Sequence, residues 1–128
     1  MRVYHATKKE EAYERILKDR LLLPGRNLAT EAPLVHVSLR PFTQGSYALD
    51  VIGADTNEAW ILECEILGET PLADDPTDEA GECYNGGWRV CETPISITRI
   101  HSVTYISNVQ KWERGDSGYA EKIPARNR

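Results

Sequence analysis

The sequence predicts a single α+β domain: a mostly antiparallel β-sheet carrying one helix near the start and a second short one. Two observations support the class. A β-forming run at the N-terminus passes directly into a segment of helical periodicity, and the strand-like runs that follow come in succession, with the helices placed early, rather than alternating with helices. The length supports a single domain, because 128 residues with 41% hydrophobic side chains make one core of the usual ~100–150 residues. A charged fraction of 27% is ordinary for a globular chain and argues against wholesale disorder.

The elements follow in order. Arg2 to Ala6 is rich in β-formers and reads as the first strand. Thr7-Lys8-Lys9-Glu10 has the spacing of a capping box, in which the threonine hydroxyl and the glutamate carboxylate satisfy the first free amides of a helix. Ala12, Tyr13, Ile16 and Leu17 then recur at helical spacing, and Pro24-Gly25 is expected to stop the helix after Leu21 to Leu23. Leu34 to Leu39 reads as a second strand, Phe42 to Ile52 has room for a short helix, and Gly53 to Asn57 is turn chemistry. Trp60 to Leu67 alternates clearly, with Trp60, Leu62, Cys64 and Ile66 facing one way and Glu63 and Glu65 the other. Trp88 to Cys91 is another strand. Ile95, Ile97 and Ile100 lead into a last one over 102–106. The domain is expected to span residues 1–110, with 111–128 as a C-terminal appendage.

Several functional classes lose support. A net charge of −5 argues against a broad nucleic-acid-binding surface and leaves only a small local one. Cys64, Cys83 and Cys91 form no CxxC pair, so reduced thiols are expected in place of a zinc ribbon or disulfide framework. Residues 68–82 hold six acids and no base, and read as a solvated connector. The acids lack the order and glycine of an EF-hand, and no metal is expected. The longest apolar run, Leu21 to Leu23, is far below the roughly 18 residues of a membrane span. No apolar leader follows Met1, so a cytoplasmic setting is expected. GxGxxG, Walker and HExxH patterns are missing, which removes the main support for familiar nucleotide folds and zincins.

Three blocks resemble one superfamily. Tyr4-His5-Ala6-Thr7, followed by a helical segment ending in Leu-Leu-Pro-Gly, resembles the Tyr-His-Gly-Thr opening of the ADP-ribosyltransferases. Pro33 to Leu39 is similar to the His-Val-His-Leu-Ser strand of RNA 2′-phosphotransferases, which carry that fold in their C-terminal lobe. Asn85-Gly86-Gly87-Trp88-Arg89-Val90, then Thr93-Pro94-Ile95 and Arg99-Ile100, resembles the ending of the same lobe. The resemblance covers roughly residues 3 to 106. It implies a split, mostly antiparallel sheet enclosing a cleft that holds NAD as substrate.

Carried over residue by residue, the resemblance places His5 against the adenosine ribose of NAD, with Thr7 assisting. Tyr47 is the nearest candidate to stack on nicotinamide, although His36 or Ser38 could fill related roles. Arg40 is a candidate partner for the pyrophosphate, since a guanidinium fork matches phosphate oxygens. The implied chemistry is displacement at the nicotinamide ribose carbon through an oxocarbenium-like state, with a carboxylate holding the ribose hydroxyl. Here the chain departs from the pattern: aligning Asn85-Gly86-Gly87-Trp88 on that ending puts a Gly where the carboxylate belongs, leaving Glu82 upstream and Glu92 downstream as candidates. The 2′-phosphotransferases also use an N-terminal winged-helix lobe for which this chain has no room, so RNA 2′-phosphate removal is not expected.

Two expectations result. The first is an ADP-ribosyltransferase that uses NAD to modify a macromolecular acceptor, protein or nucleic acid, or that hydrolyses NAD, as a bacterial or phage effector or toxin would. The second is a catalytically inactive module of the same fold that binds a nucleotide, a nucleic-acid end or a protein. The bland alternatives are concrete too: His5 as a half-buried strand histidine, Tyr47 and Trp60 as core packing, and Arg40 as a surface cation.

Overall fold

A computed structural model describes residues 1–25, 33–40, 58–76, 86–107 and 120–124. The elements run β1 (Arg2–Thr7), α1 (Glu10–Asp19), β2 (Leu21–Leu22), β3 (Val35–Ser38), β4 (Glu58–Ile66), β5 (Ala73–Asp74), β6 (Trp88–Cys91), β7 (Ile95–Ser107) and β8 (Ala120–Pro124). The strands form a sheet in the order β2-β7-β4-β1-β3-β6-β5, with β8 also pairing to β7, and every pairing is antiparallel. α1 is the single helix among the described residues. The chain is therefore α+β with a mostly antiparallel sheet. The second helix foreseen over 42–52 lies outside the described residues.

Register decides which residues share a face, because directly opposed residues on neighbouring strands point the same way. Val3, His5 and Thr7 pair with Cys64, Leu62 and Trp60. Those β4 residues pair in turn with Ile100, Val103 and Tyr105. Val35, Val37 and Cys91 continue the core, and Ile16 and Leu17 of α1 close over it. Fully burying each such Leu, Ile or Val contributes about 1.5–3 kcal/mol. Cys64 and Cys91 are buried and unbridged, and burial pushes the Cys64 thiol up to about 12. Cys83 lies outside the described residues.

The helix differs from its expected bounds at both ends. Thr7 does not cap it: the residue stays in the β1 ladder opposite Trp60, its side chain buried, while the cap position falls to Lys9 with no side-chain hydrogen bond. A strand pairing that includes Thr7 leaves its hydroxyl unable to face the first turn. Glu10 and Glu11 still place negative charge at the positive end of the helix dipole. At the other end Arg20 adopts the left-handed conformation, φ 56° and ψ 39°, and its amide donates to the Ile16 carbonyl at 2.9 Å. That reversal turns Leu21 and Leu22 out of the helix and onto β7, opposite Ser96 and Ile95. Leu22 is fully buried and Leu21 half-buried, in a strand where the helix was expected to continue.

β7 is longer than its periodicity suggested. The spacing of three between Ile97, Ile100 and Val103 breaks strand alternation, yet all three are buried. Register shifts opposite Glu63/Cys64 and Glu65/Ile66 absorb the extra residues. Ala120–Pro124, within the segment expected to be an appendage, pair with Ser102–Ile106 of β7.

The sheet is thinnest between β1 and β3. β1 pairs with β4 along its whole length, from Arg2 to Thr7, and β3 pairs with β6 from Val35 to Ser38. Between β1 and β3 one pair is in register, Tyr4 with Ser38.

Candidate functional site

His5 stands at this thin seam. Its Nδ1 lies 2.7 Å from the His36 carbonyl oxygen of β3. A carbonyl can only accept, so Nδ1 carries the proton and Nε2 keeps its lone pair. Burial lowers the His5 pKa from its ordinary value; the His36 carbonyl opposes this, and the charges of His36 and Arg15 add to it. His5 is therefore neutral at pH 7, and among the described residues no carboxylate stands among the charges acting on it. Nε2 has no hydrogen-bond partner among the described residues and is not sealed from solvent. A fixed neutral imidazole with an open lone pair can accept a hydroxyl proton as a hydrogen bond or act as a general base.

His36 connects the seam to β5. Its Nδ1 lies 3.2 Å from Oδ2 of Asp75, whose side chain is only 6% exposed. At Asp75 this corrects the reading of residues 68–82 as a solvated connector: Asp75 is buried, whereas its neighbour Asp74 is 93% exposed and 3.5 Å from Nε of Arg89. No periodic signal separates Asp74 from Asp75, because the partner of Asp75 is 39 residues away.

Ser38 and Arg40 form the turn after β3. Ser38 is fully buried and donates its hydroxyl to the Arg40 carbonyl at 3.0 Å. It fixes that turn and does not present a hydroxyl to solvent. Leu39 donates its amide to Gly87 at 2.8 Å, and the Arg40 stem lies across Gly87, with Cγ 3.1 Å from where a Cβ would sit. Gly86 and Gly87 hold φ of 74° and 77°, the left-handed region that glycine adopts without strain. A glutamate at position 87 would be strained at this backbone and would press on the Arg40 stem.

The structure brings together only part of the expected set. His5 meets His36 through backbone, and Ser38 meets Arg40. Strand alternation, however, places the His36 and Ser38 side chains on the face opposite His5, because Tyr4 pairs with Ser38 and Val35 and Val37 join the core. Thr7 is two residues from His5 on the same face, but buried against Trp60. Glu92 is exposed in the β6–β7 turn. Two strand spacings and about three residues along the strand put it on the order of 14 Å from His5. Tyr47 and Glu82 lie outside the described residues.

An aromatic cluster beside His5 escaped the sequence reading, which saw Tyr13 and Trp60 as separate core residues. Tyr13 of α1 stacks on Trp60 at 5.2 Å and 10°, and Tyr105 meets Trp60 at 5.3 Å and 45°. The Tyr105 hydroxyl donates to Glu58 at 2.8 Å; burial first, and that bond second, raise its pKa. Helical spacing marks Tyr13 as inward-facing, but only the register of β1, β4 and β7 brings the three rings together.

Among the described residues no group of three His, Cys, Asp or Glu side chains could hold a metal ion, and no helix is long and apolar enough to cross a membrane. No protein-family model and no curated protein sequence matches the chain.

Proposed function

We propose that this chain is an NAD-binding domain of ADP-ribosyltransferase type, transferring ADP-ribose from NAD to a macromolecular acceptor or to water. The observation that carries the proposal is His5: neutral, pinned through Nδ1 at the seam of the sheet, with Nε2 open. The Tyr-His-Ala-Thr strand supplies the type of protein, and the open Nε2 supplies an acceptor for a ribose hydroxyl. A pinned ring loses no rotational freedom on binding, so the hydrogen bond it makes is stronger in net terms. Nicotinamide release from NAD tests the activity. The wild type should release nicotinamide, and His5→Ala should release it far more slowly.

One observation favours a second reading, a binding module of the same fold without turnover. A glycine stands where the resemblance places the carboxylate, Glu92 is remote, and among the described residues no carboxylate acts on His5. NAD binding without nicotinamide release would select this reading.

A further inference from the structure

Among the described residues, Asp75 is the one Asp, Glu, Lys or Arg that is buried. Burying a carboxylate is unfavourable unless partners compensate for its lost hydration, and His36 is one such partner here. The placement is specific. Ala73 pairs with Val90 and Val90 with His36, so the three form one row across β5, β6 and β3. Asp75, two residues beyond Ala73, reaches over Val90 to the imidazole in the next strand but one. The pair therefore clamps β3 to β5 across β6.

That clamp matters because β1 scarcely holds β3. One registered pair and the His5 ring link β1 to β3 at the seam, whereas on its other side His36 is held by the ladder opposite Val90 and by the Asp75 carboxylate. The His36 carbonyl keeps the proton of His5 on Nδ1. We infer that Asp75 is a positioning residue for His5: by holding the His36 ring it places the His36 carbonyl, and thereby fixes the His5 tautomer and leaves Nε2 unprotonated. This deepens the proposed function and rests on it for its relevance to NAD, but the tautomer itself can be observed in the protein without ligand.

The experiment is nitrogen-15 NMR of the histidine rings in wild type, Asp75→Asn and Asp74→Asn. Asp74→Asn, at an exposed site, is the control. In the wild type and the control, His5 should show a pyrrole-like Nδ1 and a pyridine-like Nε2, the reverse of the commoner tautomer in water. In Asp75→Asn the two resonances should move toward each other as the tautomers mix. Replacing His36 and Asp75 together by Leu removes the clamp without leaving a buried charge and protects against misfolding of the single variant. It should mix the tautomers in the same way. An unchanged His5 signature in either folded variant, or a wild-type His5 protonated on Nε2, would overturn the inference. NAD titrated into the same samples reports on the function separately: a wild type that binds no NAD defeats the functional proposal, while the ring signature still decides the role of Asp75.

Discussion

The two halves of the sheet are built on different terms. β4 is flanked along its length by β1 and β7, and its inward residues Leu62, Cys64 and Ile66 are fully or almost fully buried. On the far side of the seam, β3 and β6 are four residues long, β5 is two, and the half contains the buried polar side chains of Ser38 and Asp75. Apolar burial and continuous ladders hold the first half. In the second, Val35, Val37 and Cys91 continue the core over shorter ladders, and specific polar bonds, His5 to His36, His36 to Asp75 and Ser38 to Arg40, add to it. The difference teaches that the long half rests on continuous pairing, while the short half relies more on individual polar bonds. The candidate acceptor atom sits where the long half meets the polar one.

Substitutions should expose the contrast. Leu62→Ala, in the long half, should cost about 2–5 kcal/mol, the usual penalty for a large-to-small change at a fully buried leucine, read by chemical denaturation. Asp75→Asn, in the polar half, should cost about 1–3 kcal/mol, because one partner of a buried hydrogen bond loses its charge while the other stays in place. Comparable losses at both positions would show that the polar clamp matters as much as the core. Gly87→Ala should cost about 1–2 kcal/mol from the left-handed backbone alone, with the Arg40 stem adding to it. A melting temperature equal to wild type would mean that the glycine is not required by the turn.

The two ends of the long half should also respond to pH in different windows. Burial depresses the His5 pKa, so the unfolded chain takes up a proton at His5 more readily than the folded one. Stability should fall as pH drops below the ordinary histidine value of 6.5. His5→Gln should flatten that part of the profile. At the other end of the long half, Glu65 accepts from the Met1 ammonium at 2.7 Å and from His101 at 3.1 Å, and these two bonds hold its pKa below 4.5. Its contribution is present above that value and is lost as pH falls through the lowered one. Glu65→Gln should therefore flatten only the acid limb, and by less, since the group is solvent-screened. Thermal melts from pH 8 to pH 3 on both variants separate the windows. A single shared window would contradict the assignment.

Much of the long half was legible in the sequence because its signals are local. Alternation marked β4, helical spacing marked the buried face of α1, and the run ending at Ala6 marked β1. The errors lay where a distant partner decides local structure. Thr7 looks like a cap until Trp60 holds it in a ladder, and Leu21 and Leu22 look like a last helical turn until β7 takes them. Asp75 looks solvated until His36 is placed beside it. The seam is equally silent in sequence, since it depends on how few residues of β1 and β3 fall into register. His5 could be selected from the strand that carries it, but its tautomer and its open Nε2 follow only from the His36 carbonyl.

The most direct test of the central claim is calorimetric titration of NAD into wild type and His5→Ala, with a thermal melt of each to show that both are folded. Wild type should bind, and His5→Ala should bind about 1–3 kcal/mol more weakly, the loss of a hydrogen bond to a hydroxyl at a partly desolvated site. Equal affinity in the two proteins, or no binding heat from wild type, would contradict the claim that the open Nε2 of His5 is the ligand-binding group.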